Sequence, residues 1–444
     1  MYVSFEVKGM AQMSIYGDKA YQFLEKLSFP RTSGSEMEHK AANMIADEIK
    51  SYGFMPVLEP FEVKWDKPVR AKLTVTSPEK AEYTVTGLIN AAPTPKGGCD
   101  AEFYYMRLID ELTLRQARGK FVLLNGRPSE ESYKKLMEAG ITGFLWMNGT
   151  SRDTYENSDL DTMRYRACYL KHGRVPAFAI RMIDAMKLLR THPKTVHFEL
   201  EMEEFQSTSY NVVTVVPGGD LKEEAIAVGG HYDSVEFSYG SWDNGAGTVQ
   251  VLGLLEHLAK NPPRRTVKAI LFGSEEIGLE GSKAYMKAHP EDGEQLKCMV
   301  NLDVGGNLLG WESAMVTADT AAEDYLKGIL KEGGFSTEVK PGVMSSDGTV
   351  FADWTVPAIN FASHTPWQGG YMHTRYDNMD MISADVLDHE VRQLIYVFTR
   401  LTEAEVFPME RKISDKMQED IVKYFGAGLS QTEARKNKKP EEKK

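Results

Sequence analysis

Histidine and carboxylate side chains follow short apolar runs at several separate places in the chain. The runs EAIAVGG, VKAILFGS and CMVNL lead directly into His231 with Asp233, Glu275 with Glu276, and Asp303. Such charged and polar side chains are rarely buried in a hydrophobic core. Imidazole nitrogen mixed with carboxylate oxygen is, however, a ligand set suited to zinc, and less often to manganese or cobalt. The pattern therefore predicts a metal site.

Two further residues complete the candidate ligands. Asp243 precedes the glycine-rich turn of SWDNGAG, and His373 lies in GGYMHTRYDN, with His364 close by as a rival. Five ligand candidates instead of three suggest two ions that share a bridging carboxylate at a separation of roughly 3.5–4 Å. Asp243 is the expected bridge, because the glycines after it let the backbone approach closely.

The remaining carboxylates predict supporting roles. Adjacent glutamates at a strand end can point to different places, so one of Glu275 and Glu276 can bind metal while the other stays free as a proton-transfer base. Asp233 can accept the second imidazole N–H of His231 and fix its tautomer. Each motif alone has an ordinary explanation, HYD and WDNGAG as turns and EE as solvated surface. Their shared placement after strands favours the metal site.

The elements around these residues predict an α/β fold. Two helices are expected before residue 54, the second capped by Ser35 with Glu38 three positions later. After SYNVVTVVPGG, apolar strands alternate with helical stretches such as GTVQVLGLLEHLAK, which indicates a mixed, mostly parallel sheet with helices on both faces. In such sheets ligands bind beyond the carboxyl ends of the strands. The acidic stretch MEEFQSTS just before this region is interpreted as a linker.

A second pattern interrupts the first. GKFVLLNGR, ITGFLWMN and VPAFAI are strand-like and alternate with helix-like segments, so a small α/β or β-rich insert is expected. The predicted division is 1–94 for the start of the catalytic domain, 95–193 for the insert, 194–410 for the main catalytic domain, and 411–444 for a C-terminal helix and charged tail.

Composition limits the partners. A formal charge of -12 over 444 residues argues against nucleic acid. The sequence contains no run of about 18 apolar residues, so no membrane span is predicted. The stretch MYVSFEVKGMAQ lacks the apolar core of a signal peptide. The expected location is cytoplasmic if the chain is complete, or secreted if a leader was removed. Three widely spaced cysteines make a disulfide framework improbable. A homo-oligomer is left open.

The motifs GGHYDSV, WDNGAG, GSEEIGLEGS, VNLDV and HTRYD, in this order, resemble those of the co-catalytic zinc aminopeptidase family, the metallopeptidases of clan MH. FPRTSGSEMEHKAA is also similar to the family's N-terminal helix region. The segment at 95–193 resembles the protease-associated domain often inserted in these enzymes, and it is expected to shape the substrate entrance, with a spacer or an oligomer contact as the alternative.

The resemblance implies a role for each matching position. His231 and Asp303 would bind one zinc, Glu276 and His373 the other, and Asp243 would bridge two zinc ions per chain. Glu275 would be the catalytic base and acid, and Asp233 would support His231. The family hydrolyses peptide substrates, usually releasing an N-terminal residue, through a two-metal activated water. Near His373, Trp367 and Tyr371 are candidates for contact with substrate.

Other functions on the same scaffold are left open. A carboxypeptidase or dipeptidase would need a basic group for the substrate carboxylate, for which Arg375 is a candidate. Glutaminyl cyclisation is expected to use a single zinc, which a complete pair of ligand sets disfavours. A catalytically inactive binding relative would lack ligands or the base, and none is missing from this sequence.

Overall fold

The computed structural model describes residues 16–160, 162–366, 372–426 and 428–438, and within them fourteen strands form one connected sheet. The strands are β1 (Val57–Ser77), β2 (Ala81–Tyr83), β3 (Thr86–Gly87), β4 (Cys99–Met106), β5 (Phe121–Leu124), β6 (Gly143–Asn148), β7 (Ala177–Arg181), β8 (Thr195–Val216), β9 (Leu221–His231), β10 (Arg265–Phe272), β11 (Leu296–Leu302), β12 (Trp311–Thr317), β13 (Thr337–Pro341) and β14 (Ala358–His364). Their order is β13-β12-β14-β11-β9-β10-β8-β4-β5-β6-β7-β3, with β1 paired to β8 and β2.

Helices cover this sheet. They are α1 (Gly17–Leu27), α2 (Glu36–Ser51), α3 (Glu111–Ala117), α4 (Glu130–Ala139), α5 (Ala167–Leu170), α6 (Met182–Arg190), α7 (Ala246–Lys260), α8 (Glu280–Ala288), α9 (Asp292–Gln295), α10 (Thr320–Gly333), α11 (Asp347–Asp353), α12 (Ala384–Glu403), α13 (Asp415–Phe425) and α14 (Gln431–Lys438). As predicted, the Ser35 side chain caps α2 by accepting from the N–H of Glu38. None of the helices in these ranges is long and apolar enough to cross a bilayer.

The central strands are parallel and buried on both faces. β10 pairs with β9, β9 with β11, and β11 with β14, all in parallel. Alternate residues of β9 pack into different cores: Ile226 and Val228 face one with α2, α7 and α12, and Ala227 faces another with α8, α11 and α13. The predicted mixed sheet with helices on both faces is confirmed.

A long antiparallel ribbon connects two regions of the molecule. β1 and β8, of 21 and 22 residues, pair from Val57 with Val213 to Ser77 with Thr195. The interpretation of MEEFQSTS as a linker is wrong, because all of it lies inside β8. Its charges remain at the surface of the ribbon, where Lys64 Nζ of β1 lies 2.8 Å from Glu204 Oε2.

A separate hydrophobic core lies beyond the ribbon. β4, β5, β6 and β7 pair in parallel, and their apolar residues, such as Phe121, Leu145 and Phe178, pack together with both strands of the ribbon. The strands and helices predicted here are present, and Gly140 ends α4 in the left-handed conformation. The boundaries at 95 and 193 and the likeness to a protease-associated domain stay predictions. Cys99, Cys168 and Cys298 are free thiols.

Arg31 fastens the turn between α1 and α2 to the loop after β9. The side chain is completely buried, and its guanidinium donates to five main-chain carbonyls, those of Leu27, Phe29, Tyr232, Tyr239 and Gly240, at 2.6–2.9 Å. Burial lowers the pKa of Arg31 to about 10, although the nearby carboxylates of Asp377 and Asp233 oppose the decrease. The group is therefore still charged at neutral pH.

We expect Arg31→Met to lower the free energy of unfolding by roughly 3 kcal/mol or more, because each buried carbonyl left without a donor costs about 1–3 kcal/mol. Urea denaturation would measure the loss. The matched control is Lys26→Met on α1, whose side chain is exposed and should change stability by no more than about 0.5 kcal/mol. Equal effects of the two replacements would contradict this anchoring role.

Candidate metal centre

The predicted ligands come together at one edge of the sheet. His231 is the last residue of β9, Glu276 follows β10, and Asp303 follows β11 directly. These strands are parallel neighbours, so their carboxyl ends meet. Asp243 lies in a short turn, Ser241–Gly245, just before α7. His373 comes from the segment that follows β14.

Asp243 lies between two groups of ligands and presents one oxygen to each. Its Oδ1 is 3.2 Å from His231 Nε2, which is also 3.5 Å from Asp303 Oδ1. Its Oδ2 is 3.1 Å from His373 Nε2, which is also 3.2 Å from Glu276 Oε2. Each group of three could hold one ion, and Asp243 belongs to both.

The electrostatics fit bound cations. Burial raises the pKa of Glu276 to about 7, with His373 opposing and Asp243 reinforcing the shift, and Glu276 Oε1 has no hydrogen-bond partner among the described residues. Burial lowers the pKa of His231, but surrounding carboxylates, Glu275 first, bring it well above its ordinary value. Carboxylates and imidazoles crowded in this way suit divalent cations such as zinc.

Glu275 belongs to neither group of ligands. Burial raises the pKa of its carboxyl well above the ordinary range, opposed by His231 and reinforced by Glu276. The preceding residue, Ser274, has a φ of +56°, which is uncommon for any residue except glycine. The backbone therefore adopts a left-handed conformation after β10, immediately before Glu275 and Glu276.

Asp233 holds both the histidine and the glutamate pair. It is completely buried, and its Oδ1 lies 3.4 Å from His231 Nδ1, an ion-pair distance. The same oxygen accepts from the N–H of Glu275 at 2.9 Å, and Oδ2 accepts from the N–H of Glu276 at 3.2 Å and from Ser33 Oγ at 3.1 Å. Asp233 thus fixes the backbone of Glu275 and Glu276 by hydrogen bonds and faces His231 at ion-pair distance.

Two residues that position the turn of Asp243 were not predicted. Asp377 accepts from the N–H of Trp242 at 2.6 Å and from that of Asp243 at 3.1 Å. Asn244 donates to the carbonyl of Leu302 at 2.7 Å and accepts from the N–H of Val304 at 3.0 Å, on either side of Asp303. Asp377 lies in the motif HTRYD and Asn244 in WDNGAG. Neither motif indicates that these side chains form hydrogen bonds with the main chain of other loops.

Asp347, the first residue of α11, is a further buried acid that was not predicted. It is completely buried, and neither carboxylate oxygen has a hydrogen-bond partner among the described residues. Burial raises its pKa to about 7, while the nearby His231 opposes the shift. Asp347 therefore adds to the excess of buried acids around the candidate metal centre.

The rival candidates lie elsewhere. His364 Nε2 is 2.6 Å from Ser313 Oγ, and its ring packs against Trp311. Arg375 pairs through Nε with Asp159 Oδ2 at 2.8 Å, so its guanidinium is already engaged by a carboxylate. Trp367 and Tyr371, the predicted substrate contacts, lie outside the described residues.

Comparison with known proteins agrees with this geometry. Residues 211–398 match the model of Peptidase family M28. The chain is 28% identical over 394 residues to aminopeptidase YwaD of Bacillus subtilis, covering 83% of this chain and 81% of that protein. It is 24% identical over 326 residues to carboxypeptidase Q of Mus musculus, covering 67% and 68%.

The fold is also shared with solved structures. BSAP, a zinc aminopeptidase from Bacillus subtilis, superposes with a TM-score of 0.72 at 22% identity, covering 90% of this chain and 98% of that chain. An aminopeptidase from Aneurinibacillus sp. strain AM-1 gives a TM-score of 0.67 at 23% identity, covering 90% and 96%. At this identity the similarity establishes the fold alone.

We expect Asp233→Asn to lower the free energy of unfolding by about 1–3 kcal/mol in saturating zinc, because an amide nitrogen cannot accept from a main-chain N–H. Hydrogen exchange at the amides of Glu275 and Glu276 should become faster. The control is Asp353→Asn, a buried aspartate that accepts from the N–H groups of Gln431 and Thr432. This control should lose a comparable amount of stability, but hydrogen exchange at the amides of Glu275 and Glu276 should not become faster. Unchanged exchange at these amides in Asp233→Asn would argue against the role of Asp233.

Proposed function

Because residues 211–398 of this chain match the model of Peptidase family M28, we propose that it is a two-zinc aminopeptidase that removes N-terminal residues from peptides. The observation that supports this most strongly is Asp243, whose two oxygens face two separate groups of ligands. The similarity to an aminopeptidase over 83% of the chain supports the choice of reaction.

The ligand sets follow from the distances. His231 and Asp303 would hold one zinc, Glu276 and His373 the other, and Asp243 both. Bound zinc supplies Lewis acidity, which polarises a peptide carbonyl and lowers the pKa of water. The His231 side chain is 1% exposed and that of His373 is 45% exposed, so the second group of ligands is the more open to substrate.

Glu275 is the residue that moves protons in this proposal. Its carboxylate takes a proton from the attacking water and passes it to the leaving amine, for which a carboxyl with a raised pKa is suited. The hydrogen bond that the main-chain N–H of Glu275 donates to Asp233 holds Glu275 beside the ligands and leaves its carboxylate free.

Two replacements test these roles against each other. Glu275→Gln should keep two zinc ions per chain and lose about 10²–10⁴-fold in kcat, because only the proton transfer is removed. Asp243→Ala should lose metal, because both ions lose a ligand. Zinc would be measured by elemental analysis, and turnover with a free and an N-acetylated peptide, of which only the free peptide should be cleaved. Normal turnover in Glu275→Gln, or two tightly bound ions in Asp243→Ala, would refute the assignment.

A carboxypeptidase or dipeptidase is the second candidate, and one observation favours it besides the similarity to carboxypeptidase Q. Arg164 reaches the loop that follows Glu275 and Glu276, where its Nη1 is buried without a hydrogen-bond partner in the described part of the chain. Its Nη2 lies 3.7 Å from Glu280 Oε1. A Cβ on Gly278 would lie 3.1 Å from Nη1, so a glycine there leaves room for the guanidinium.

This second candidate predicts a preference for a free C-terminal carboxylate. Under it, amidation of a short peptide should raise KM, and Arg164→Gln should remove the difference between free and amidated peptides. An aminopeptidase should cleave both peptides alike. The products would be identified by mass spectrometry, and Arg375→Gln is the control, because that guanidinium already pairs with Asp159. Release of the N-terminal residue from both peptides would exclude the second candidate.

A further inference from the structure

The turn that follows Asp303 is fixed through its main-chain N–H groups. Val304 and Gly306 have φ values of +63° and +74°, so the turn adopts a conformation that most residues avoid. The four N–H groups of residues 303–306 all donate to groups outside the turn. The acceptors are Phe361 O at 3.0 Å, Asn244 Oδ1 at 3.0 Å, Trp242 O at 3.3 Å and Glu390 Oε2 at 2.8 Å.

Glu390 is the one charged side chain among these acceptors. It lies on α12 and is 4% exposed. Its Oε2 accepts from the N–H of Gly306 and also from Gln250 Nε2 of α7, at 2.7 Å. A Cβ on Gly305 would lie 2.3 Å from Gln250 Nε2 and 2.9 Å from Glu390 Oε2. The pair of side chains therefore packs directly against the backbone of the turn.

The other oxygen of Glu390 has no such partner. Oε1 is buried without a hydrogen bond to any described residue, and the side chain lines a cavity of about 20 Å³ together with Leu302, Val304 and Ser363. That volume is enough for one water molecule. Burial raises the pKa of Glu390 to about 8, and Glu312 reinforces the shift. The carboxyl is therefore mostly neutral at pH 7, and a glutamine amide is a close substitute for it.

We infer that Glu390 is a positioning residue, which holds Asp303 in its metal-binding position through the N–H of Gly306. The inference rests on the proposed function, since it needs Asp303 as a ligand. None of the candidate ligands lies on α12, and no hydrogen bond or ion pair joins Glu390 to one of them among the described residues. Groups that orient metal ligands typically contribute about 10–100-fold to metal affinity, and Glu390 supplies one of the four acceptors that fix the turn carrying Asp303.

The test compares Glu390→Leu with Glu390→Gln in the full chain. Leucine removes the acceptor, so one of the two zinc ions, the one held by His231 and Asp303, should bind about 10–100-fold more weakly. Glutamine keeps an acceptor oxygen for Gly306 and should restore affinity to near that of the unaltered protein. Zinc affinity would be measured by competition with a chromophoric chelator, which needs no turnover. The metal-free unfolding temperature and kcat would be measured beside it.

Gln393→Leu is the matched control. Gln393 is also 4% exposed on α12 and lines the same cavity, but it accepts from Thr337 rather than from the turn. It should lower the unfolding temperature without weakening zinc. Equal loss of zinc in Gln393→Leu, no loss in Glu390→Leu, or no recovery in Glu390→Gln would each overturn the inference.

A further replacement keeps the test decisive if Glu390→Leu does not fold. Gln250→Leu leaves the carboxyl group of Glu390 in place and removes one of the two groups that donate to it. We expect a smaller loss of affinity for the same zinc ion, and unchanged affinity in this variant would overturn the inference. If the unaltered chain binds no zinc, the proposed function fails. If it binds two and these replacements leave both unchanged, only the role of Glu390 fails.

Discussion

The structure depends on the concentration of buried acids at one edge of its sheet. Asp243 presents both oxygens to imidazoles, and further carboxylates surround the same two rings, those of Asp233, Glu275, Glu276, Asp303 and Asp347. Burying unpaired carboxylates costs several kcal/mol each. Two imidazoles cannot neutralise so many acids even when both are protonated. The surplus negative charge is stable only if cations or protons occupy the site, and the alignment of nitrogen and oxygen donors favours cations.

Holding mutually repelling side chains in place requires a rigid backbone, and the loops at this edge are fixed by hydrogen bonds to buried polar groups. Three residues in these loops, Ser274, Val304 and His373, have positive φ values. Such conformations cost on the order of 1–3 kcal/mol each and persist only where the surroundings fix them. Asp233 and Asp377 supply part of that restraint by accepting main-chain N–H groups. The strain thus lies beside the candidate ligands, where geometry matters most.

Three of the five candidate ligands could be predicted from a local signal that precedes each of them, whereas His373 was distinguished from His364 only by the family resemblance. Apolar strands run straight into His231, Glu276 and Asp303, and parallel strands must end at a common edge. Arg31 and Glu390 have no such signal, since one lies in an ordinary turn and the other in an ordinary amphipathic helix. The groups to which Arg31 and Glu390 hydrogen-bond are mostly distant in sequence, and only the tertiary fold brings them together. In the ribbon, the acidic stretch MEEFQSTS of β8 was misinterpreted for the opposite reason: a run of charges resembles a break, although here the charges stay at the surface of a paired strand.

Asp159 and Arg164 bring a part of the molecule outside the M28 match to the candidate site. Asp159 pairs with Arg375, two residues after His373, and Arg164 lies near Glu280 and Gly278 of the loop after β10. Three of the candidate metal ligands, His231, Glu276 and Asp303, lie at or just after strand ends, whereas these contacts come from the region with its own hydrophobic core. The candidate metal ligands and these contacts are therefore supplied by different parts of the chain.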